Sequence, residues 1–155
     1  MPSILELLHE DHNKVKTLFK DFEKAADRKT KEGIVETASM ELMAHTMLEE
    51  ELFYPVVRKE NREAAKLIDL AEEEHHVAKF LISELADMNP DMPRYDAKFM
   101  VLAESVGHHI QEEESEVFDQ AEKMGRERLD RMGGQLAERR EKVQAEMMRS
   151  RRRAA

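Results

Sequence analysis

Four separate stretches of the chain place a core-type residue at every third or fourth position, and each of these stripes has a histidine near its middle. The first reads Leu5, Leu8, His12, Val15, Phe19, Phe22, and the second Val35, Ala38, Leu42, His45, Glu49, Leu52, Val56. The third is Ala64, Ile68, Ala71, His75, Ala78, Ile82, Leu85, and the fourth Phe99, Leu102, Val106, His109, Glu113. Such spacing gathers a stripe onto one side of an α-helix. Four helices of similar length, each with a single narrow apolar face, pack as an antiparallel up-down bundle. The same register turns four imidazoles and two carboxylates into the core. An unpaired carboxylate there costs several kcal/mol even after relaxation, so the two glutamates need a positive partner.

Composition supports an all-α fold. Glu, Lys, Arg, Ala, Leu and Met are strong helix formers, and Val, Ile and Thr never cluster into alternating runs that a sheet could use. Ser3 with Glu6 reads as a capping box at the first helix start, and that helix is expected to run to about Ala26. Asp27-Arg28-Lys29-Thr30 reads as a polar break. The second segment spans roughly Lys31 to Lys59, the third starts at Asn61 and ends near Met88, and Asn89-Pro90-Asp91-Met92-Pro93 is a loop. The fourth runs from about Arg94 to Gly125. Residues 1–125 are therefore expected to form the bundle and residues 126–155 a helical basic tail.

The chain has 155 residues and a net charge of −9, unevenly spread: residues 123–155 balance at +6 and the preceding 122 at −15. An acidic body argues against nucleic acid as a partner. With no cysteine, disulfides, thiolate metal sites and cysteine nucleophiles are excluded. No apolar run approaches the ~18 residues of a membrane span. Met1-Pro2-Ser3 leads directly into an amphipathic pattern, so no signal peptide is visible and a cytoplasmic protein is expected.

His45 and Glu49 are four residues apart, as are His109 and Glu113, which sets each pair one helical turn apart on a common face. His12 and His75 add one nitrogen each from the other two helices. A sulfur-free set of nitrogen and oxygen ligands suits iron, manganese or zinc. Six protein ligands exceed the needs of one tetrahedral zinc and fit two metal ions about 3.5–4 Å apart, bridged by the carboxylates. One histidine on an apolar stripe would ordinarily be a hydrogen-bonded core residue. Four at similar depth, with two glutamates at matching offsets, point to the metal set His12, His45, Glu49, His75, His109 and Glu113.

These motifs resemble the hemerythrin-like (HHE cation-binding) family. His45-Thr46-Met47-Leu48-Glu49-Glu50-Glu51-Leu52-Phe53-Tyr54-Pro55 is similar to its signature of a histidine, following acids and a closing Phe-Tyr-Pro. The stretch from His109 to Phe118 repeats it, and Glu10-Asp11-His12 and Glu74-His75-His76 match the other two histidine positions. The resemblance covers about residues 3–122. It implies a non-haem di-iron site, two iron ions with an oxo or hydroxo bridge, that meets dioxygen or a related small oxidant. Oxygen-carrying hemerythrins have a second third-helix histidine four residues after the first. Here that position is Lys79, which leaves two histidines per metal and argues against reversible oxygen carriage.

His76 and His108 align with wet faces and are expected to be exposed or to orient ligands by hydrogen bonding, and His9 to lie at the surface. Glu50, Glu51, Glu72, Glu73, Glu74, Glu112 and Glu114 are expected to be mostly solvated, and Tyr54 and the methionines to serve packing. The tail stripe, Leu129, Met132, Leu136, Val143, Met147, is broken by Gly133-Gly134. The tail is read first as a frayed, solvated helix, then as docked on its own bundle or on a second subunit, and last as binding an anionic partner. The leading function is a di-iron protein for dioxygen, peroxide or nitric oxide, used in sensing, detoxification or iron handling. A peroxidase- or catalase-like oxidoreductase and a redox-inert metal-storage or zinc module are the alternatives.

Overall fold

The computed structural model describes residues 1–154, and among them every regular element is helical. Helix α1 spans Ile4–Lys24 and α2 Arg28–Leu48; α2 continues through a π-helical turn, Glu49–Phe53, into α3, Tyr54–Glu60. Helix α4 spans Ala64–Ala86. Helix α5, Tyr95–Glu112, passes through a second π turn, Glu113–Val117, into α6, Phe118–Glu122, and α7 covers Arg126–Ala154. α1, α2, α4 and α5 form the up-down bundle, each packed against the next and α5 back against α1.

The helix starts follow local chemistry. Ser3 Oγ accepts from the Glu6 N–H at 3.2 Å while the Ser3 N–H donates to Glu6 Oε2 at 2.8 Å, which satisfies two otherwise orphaned donors. α2 begins three residues earlier than the sequence suggests because Asp27 is a cap: its carboxylate accepts from the Thr30 N–H. The proline loop before α5 lies where the sequence puts it.

The core divides into two apolar clusters. One gathers Leu8, Leu48, Phe53, Ile68, Leu129 and Leu136, among others. The other gathers Val15, Phe22, Leu42, Ile82, Phe99 and Leu102. On α1 the histidine sits between Leu8 and Val15, on α4 between Ala71 and Ala78, so the polar residues form a layer between the clusters.

The second stripe changes phase after Glu49. Leu52 and Val56, expected inside, are half-buried, and Phe53 and Val57 are buried in their place. The π turn is the reason: it places one extra residue in the turn, so every later position moves round the axis by one.

The tail is not a frayed, solvated helix. α7 lies along α1 and α2 with Leu129, Met132, Leu136 and Val143 buried. Gly133-Gly134, read as an interruption, sits inside the continuous helix. A Cβ on Gly133 would come within 2.2 Å of the Pro2 carbonyl oxygen, so glycine is what lets α7 touch the start of α1. The basic tail answers the acidic body directly: Arg128 pairs with Glu60, Arg139 with Glu51 and Arg151 with Glu36. Among the described residues no helix is long and apolar enough to cross a membrane.

Candidate metal centre

Each of the six residues singled out from the stripes is buried, and the structure brings them together as two overlapping groups. His12, His45, Glu49 and Glu113 offer donor atoms within 4.8 Å of one another, and so do Glu49, His75, His109 and Glu113. The two glutamates belong to both groups. Each supplies the last residue of a His-x-x-x-Glu pair and opens a π turn.

All four imidazoles are held the same way. His12 Nδ1 donates to Glu114 at 2.6 Å, His45 Nδ1 to Asp11 at 2.8 Å, His75 Nδ1 to Glu50 at 2.9 Å and His109 Nδ1 to Glu74 at 2.8 Å. An ionised carboxylate can only accept, so in each neutral ring the proton sits on Nδ1 and the Nε2 lone pair is free. Imidazole ligands of metals are oriented in this way.

The four acids also make a closed ring. Asp11 of α1 holds His45 of α2; Glu50, just past α2, holds His75 of α4; Glu74 of α4 holds His109 of α5; Glu114, just past α5, returns to His12 of α1. Each is the immediate sequence neighbour of a core histidine or glutamate, and each is half-buried. Reading Glu50, Glu74 and Glu114 as solvated overlooked this. An acid next to a core ligand sits on the flank facing the adjacent helix, and that adjacency was the available signal.

Inside the ring, the Nε2 atoms of His12 and His45, Glu49 Oε2 and Glu113 Oε1 make no hydrogen bond. His12 Nε2 is only 3.1 Å from Glu113 Oε1, and His45 Nε2 is 3.0 Å from Glu49 Oε1, but these contacts are out of line for hydrogen bonding. Buried polar atoms without partners are rare and costly. Here they are lone-pair donors converging on one space, a donor set that fits metal ions.

The electrostatics fit the same picture. Burial pushes the His109 imidazole down, but its bonds to Glu113 and Glu74 and the surrounding negative charge outweigh that and raise it to about 10. His45 is likewise raised well above its ordinary value: burial opposes, while the Glu49 charge and the Asp11 bond prevail. Glu113 is held well below the usual carboxylate range, with burial outweighed by the Glu49, His109 and His12 groups packed against it. Without metal, protons hold the place of cations.

Tyr54 was read as a packing residue, and it is more than that. Its hydroxyl stands 3.1 Å from His75 Nε2, 3.5 Å from His109 Nε2 and 3.4 Å from Glu49 Oε1, and it donates to Glu113 Oε2. On an α-helix Glu49 and Tyr54, five apart, would point about 140° away from each other. The π turn, closed by the Tyr54 N–H donating to the Glu49 carbonyl, brings both inward. At the matching position in the second half, Phe118 stacks on His12 with centroids 6.0 Å apart. The hydroxyl therefore serves only the His75/His109 side.

His76, His108 and His9 are exposed. His108 pairs with Glu112 on its own helix, whereas His9 Nδ1 donates to the Glu114 carboxylate at 2.9 Å and so backs the acid that holds His12. Lys79 does not simply leave a gap. Its Nζ lies 2.7 and 2.9 Å from the two oxygens of Glu50; the His75 bond first, and Lys79 after it, outweigh burial and lower that carboxyl to about 2. Beside the centre, Val15, Leu42, Ala78, Val106 and Ile110 help line a cavity of about 20 Å³, room for one water-sized guest.

Known proteins match in both sequence and shape. The chain is 29% identical over 116 residues to a protein from Nostoc sp. described as a DNA nickase; the match takes 75% of this chain but only 32% of that protein's length. The crystal structure of a hemerythrin HHE cation binding domain-containing protein from Mycobacterium kansasii superposes with a TM-score of 0.85 at 23% identity, covering 98% of this chain and 93% of that one. That likeness establishes the fold. The model of the hemerythrin HHE cation binding domain matches residues 3–121, and the chain belongs to that family.

Proposed function

We propose that the protein holds two iron ions, one through His12 and His45 and one through His75 and His109, with Glu49 and Glu113 shared between them. In this reading the centre meets a small oxidant: dioxygen, peroxide or nitric oxide. The observation that carries it is the uniform locking of four imidazoles by four carboxylates, which leaves every Nε2 aimed at one buried space. Iron, when bound, supplies electrons to an oxidant and an open coordination position.

The protein's own residues do the rest. Val15, Leu42 and Val106 wall the cavity with apolar surface and keep bulk water and larger substrates away. Leu8 and Leu102, on the same stripes, do not line it and belong to the two apolar clusters. Burial first, and the charges of Glu49 and Glu113 next, push the Tyr54 phenol up well beyond its ordinary value. It therefore stays protonated and can donate a hydrogen bond to a guest beside His75 and His109. With Lys79 engaged by Glu50, no third histidine reaches that side, which favours reaction with an oxidant over repeated reversible carriage.

The test is metal analysis with the absorption spectrum of the reduced protein before and after air, peroxide and nitric oxide. Two irons per chain and a stoichiometric spectral change support the reading. Sustained peroxide consumption would make the protein an oxidoreductase; one ion or none held by these residues would overturn the two-iron site. The net charge of −9 disfavours a polyanion, so the activity named for the Nostoc protein is not extended to this chain.

A further inference from the structure

We propose that α7 is a working part of the metal centre, with Arg140 as a positioning residue that sets His45 through Asp11. The inference rests on the metal reading above and concerns a helix outside the four that supply the six residues.

Arg140 stands in the apolar stripe of α7. Gly133, Leu136 and Val143 are all buried, and Arg140 falls among them at the same alternating spacing of three and four. A charged residue on an inward face needs a partner. Arg140 Nη2 donates to Asp11 Oδ2 at 2.6 Å, and that same oxygen accepts from His45 Nδ1 at 2.8 Å. The Asp11 side chain is only 14% exposed and that of Arg140 23%, so water screens the chain of contacts poorly. Guanidinium, carboxylate and imidazole thus form a fixed series from the tail to the centre.

Its effect is both steric and electronic. Arg140 fixes the carboxylate, and the carboxylate fixes the plane of the imidazole. Arg140 also draws negative charge out of Asp11, so the imidazole receives less electron density than from a free carboxylate. The other members of the ring differ. Glu50 has Lys79, Glu114 has His9, and Glu74 pairs with no Lys or Arg among the described residues. The four histidines are therefore graded as ligands, and the His12/His45 side depends on a residue that the bundle itself does not provide.

Arg139 supplies the control. It sits one residue away on α7 and pairs with Glu51 at 2.9 Å, at a more exposed place without contact to Asp11. The experiment uses the full chain loaded with Co²⁺, whose visible bands report ligand geometry, and follows release of both ions to a chelator. Arg140→Gln leaves Asp11 in place, so it should speed release of one ion by up to ~10-fold, the low end of the ~10–100-fold in affinity that loss of a ligand's own orienting partner costs, and shift the bands. The second ion should leave at its normal rate. Arg140→Lys should restore most of the loss, and Arg139→Gln should match wild type.

Metal-free protein gives an independent readout. The His45 Nδ1–H proton should be seen by NMR in wild type and in Arg139→Gln, and should broaden or exchange away in Arg140→Gln while the melting temperatures stay alike. Arg140→Gln that matches Arg139→Gln in release, bands and NMR would overturn the proposal. Equal acceleration for both ions with a lowered metal-free melting temperature would also overturn it, reducing Arg140 to a docking contact. Wild type that retains the His45 proton but takes up no Co²⁺ would instead refute the metal reading on which the proposal rests.

Discussion

Adding one methyl group at either of two adjacent glycines should have opposite effects. In a helix interior glycine costs roughly 0.5–1 kcal/mol relative to alanine, so propensity alone predicts that Gly133→Ala and Gly134→Ala both stabilise α7. The surroundings decide otherwise. A Cβ at Gly134 meets only the tip of the flexible Met1 side chain, at 3.2 Å, and the propensity gain should survive. A Cβ at Gly133 would meet the backbone that leads into α1: Pro2 O at 2.2 Å, Ser3 C at 2.9 Å and Ile4 N at 3.0 Å. No rotamer relieves that, so α7 and the start of α1 must move apart. Overpacking of this kind costs ~1–3 kcal/mol, and disturbing the Ser3 cap adds about 1 kcal/mol. Set against the propensity gain, the net loss is about 1–3 kcal/mol. For a chain of this size ~2–4 °C accompanies each kcal/mol, so Gly133→Ala should lower the melting temperature by about 2–12 °C. Gly134→Ala should raise it by ~1–4 °C. Thermal unfolding of metal-free protein followed by circular dichroism measures both. Gly133→Ala melting at or above wild type would refute the seating of α7 on the N-terminus. Gly133 lies two turns before Arg140, so the same variant should also loosen the Arg140–Asp11 contact.

Three further outcomes follow from the centre. His75→Ala and His109→Ala should strip metal strongly, whereas His76→Ala and His108→Ala, altering exposed rings, should leave two ions per chain by elemental analysis; the reverse ranking would refute the register. The raised imidazoles of His45, His75 and His109 stabilise metal-free protein fully below about pH 6.5, their unfolded value. That contribution should fade as pH rises toward about 10, the folded value of His109. Metal competes with those protons, so between pH 6 and pH 8 Co²⁺ affinity should rise and loading should release protons into a weakly buffered indicator; pH-independent affinity would refute the coupling. Lys79→His should fail to create an oxygen carrier, because it removes the cation from Glu50, which orients His75. Repeated oxygenation followed optically checks this, and clean cycling by the variant would count against the role assigned to Lys79.

The bundle and its six inward residues were legible because a 3.6-residue period leaves a strong trace: the third stripe, Ala64 to Leu85, matches the buried face of α4 residue for residue. The same reading treats each position as inside or outside, and it failed at those that are neither. Asp11, Glu50, Glu74 and Glu114 lie on helix flanks, where a carboxylate reaches the neighbouring helix while keeping one edge in water. The π turns were invisible because the stripe rule assumes constant pitch, so Tyr54 was taken for packing and Leu52 and Val56 for core. α7 was underrated for a related reason. Arg140 fills the gap in its stripe, and Gly133-Gly134 reads as a break unless the facing backbone is known.

The turn at Glu49–Phe53 also sets a rule for anyone transplanting this centre onto a designed scaffold. Designers work with straight helices of uniform pitch, and a His-x-x-x-Glu pair grafted onto one would present its imidazole and carboxylate correctly. The phenol five residues beyond the glutamate would miss the centre by more than a third of a revolution. A faithful graft must copy a defect, one surplus residue in each of the two helices that carry a His-x-x-x-Glu pair, and then offset every core position downstream of it by one. A design without that surplus residue would be a cleaner helix and a different site.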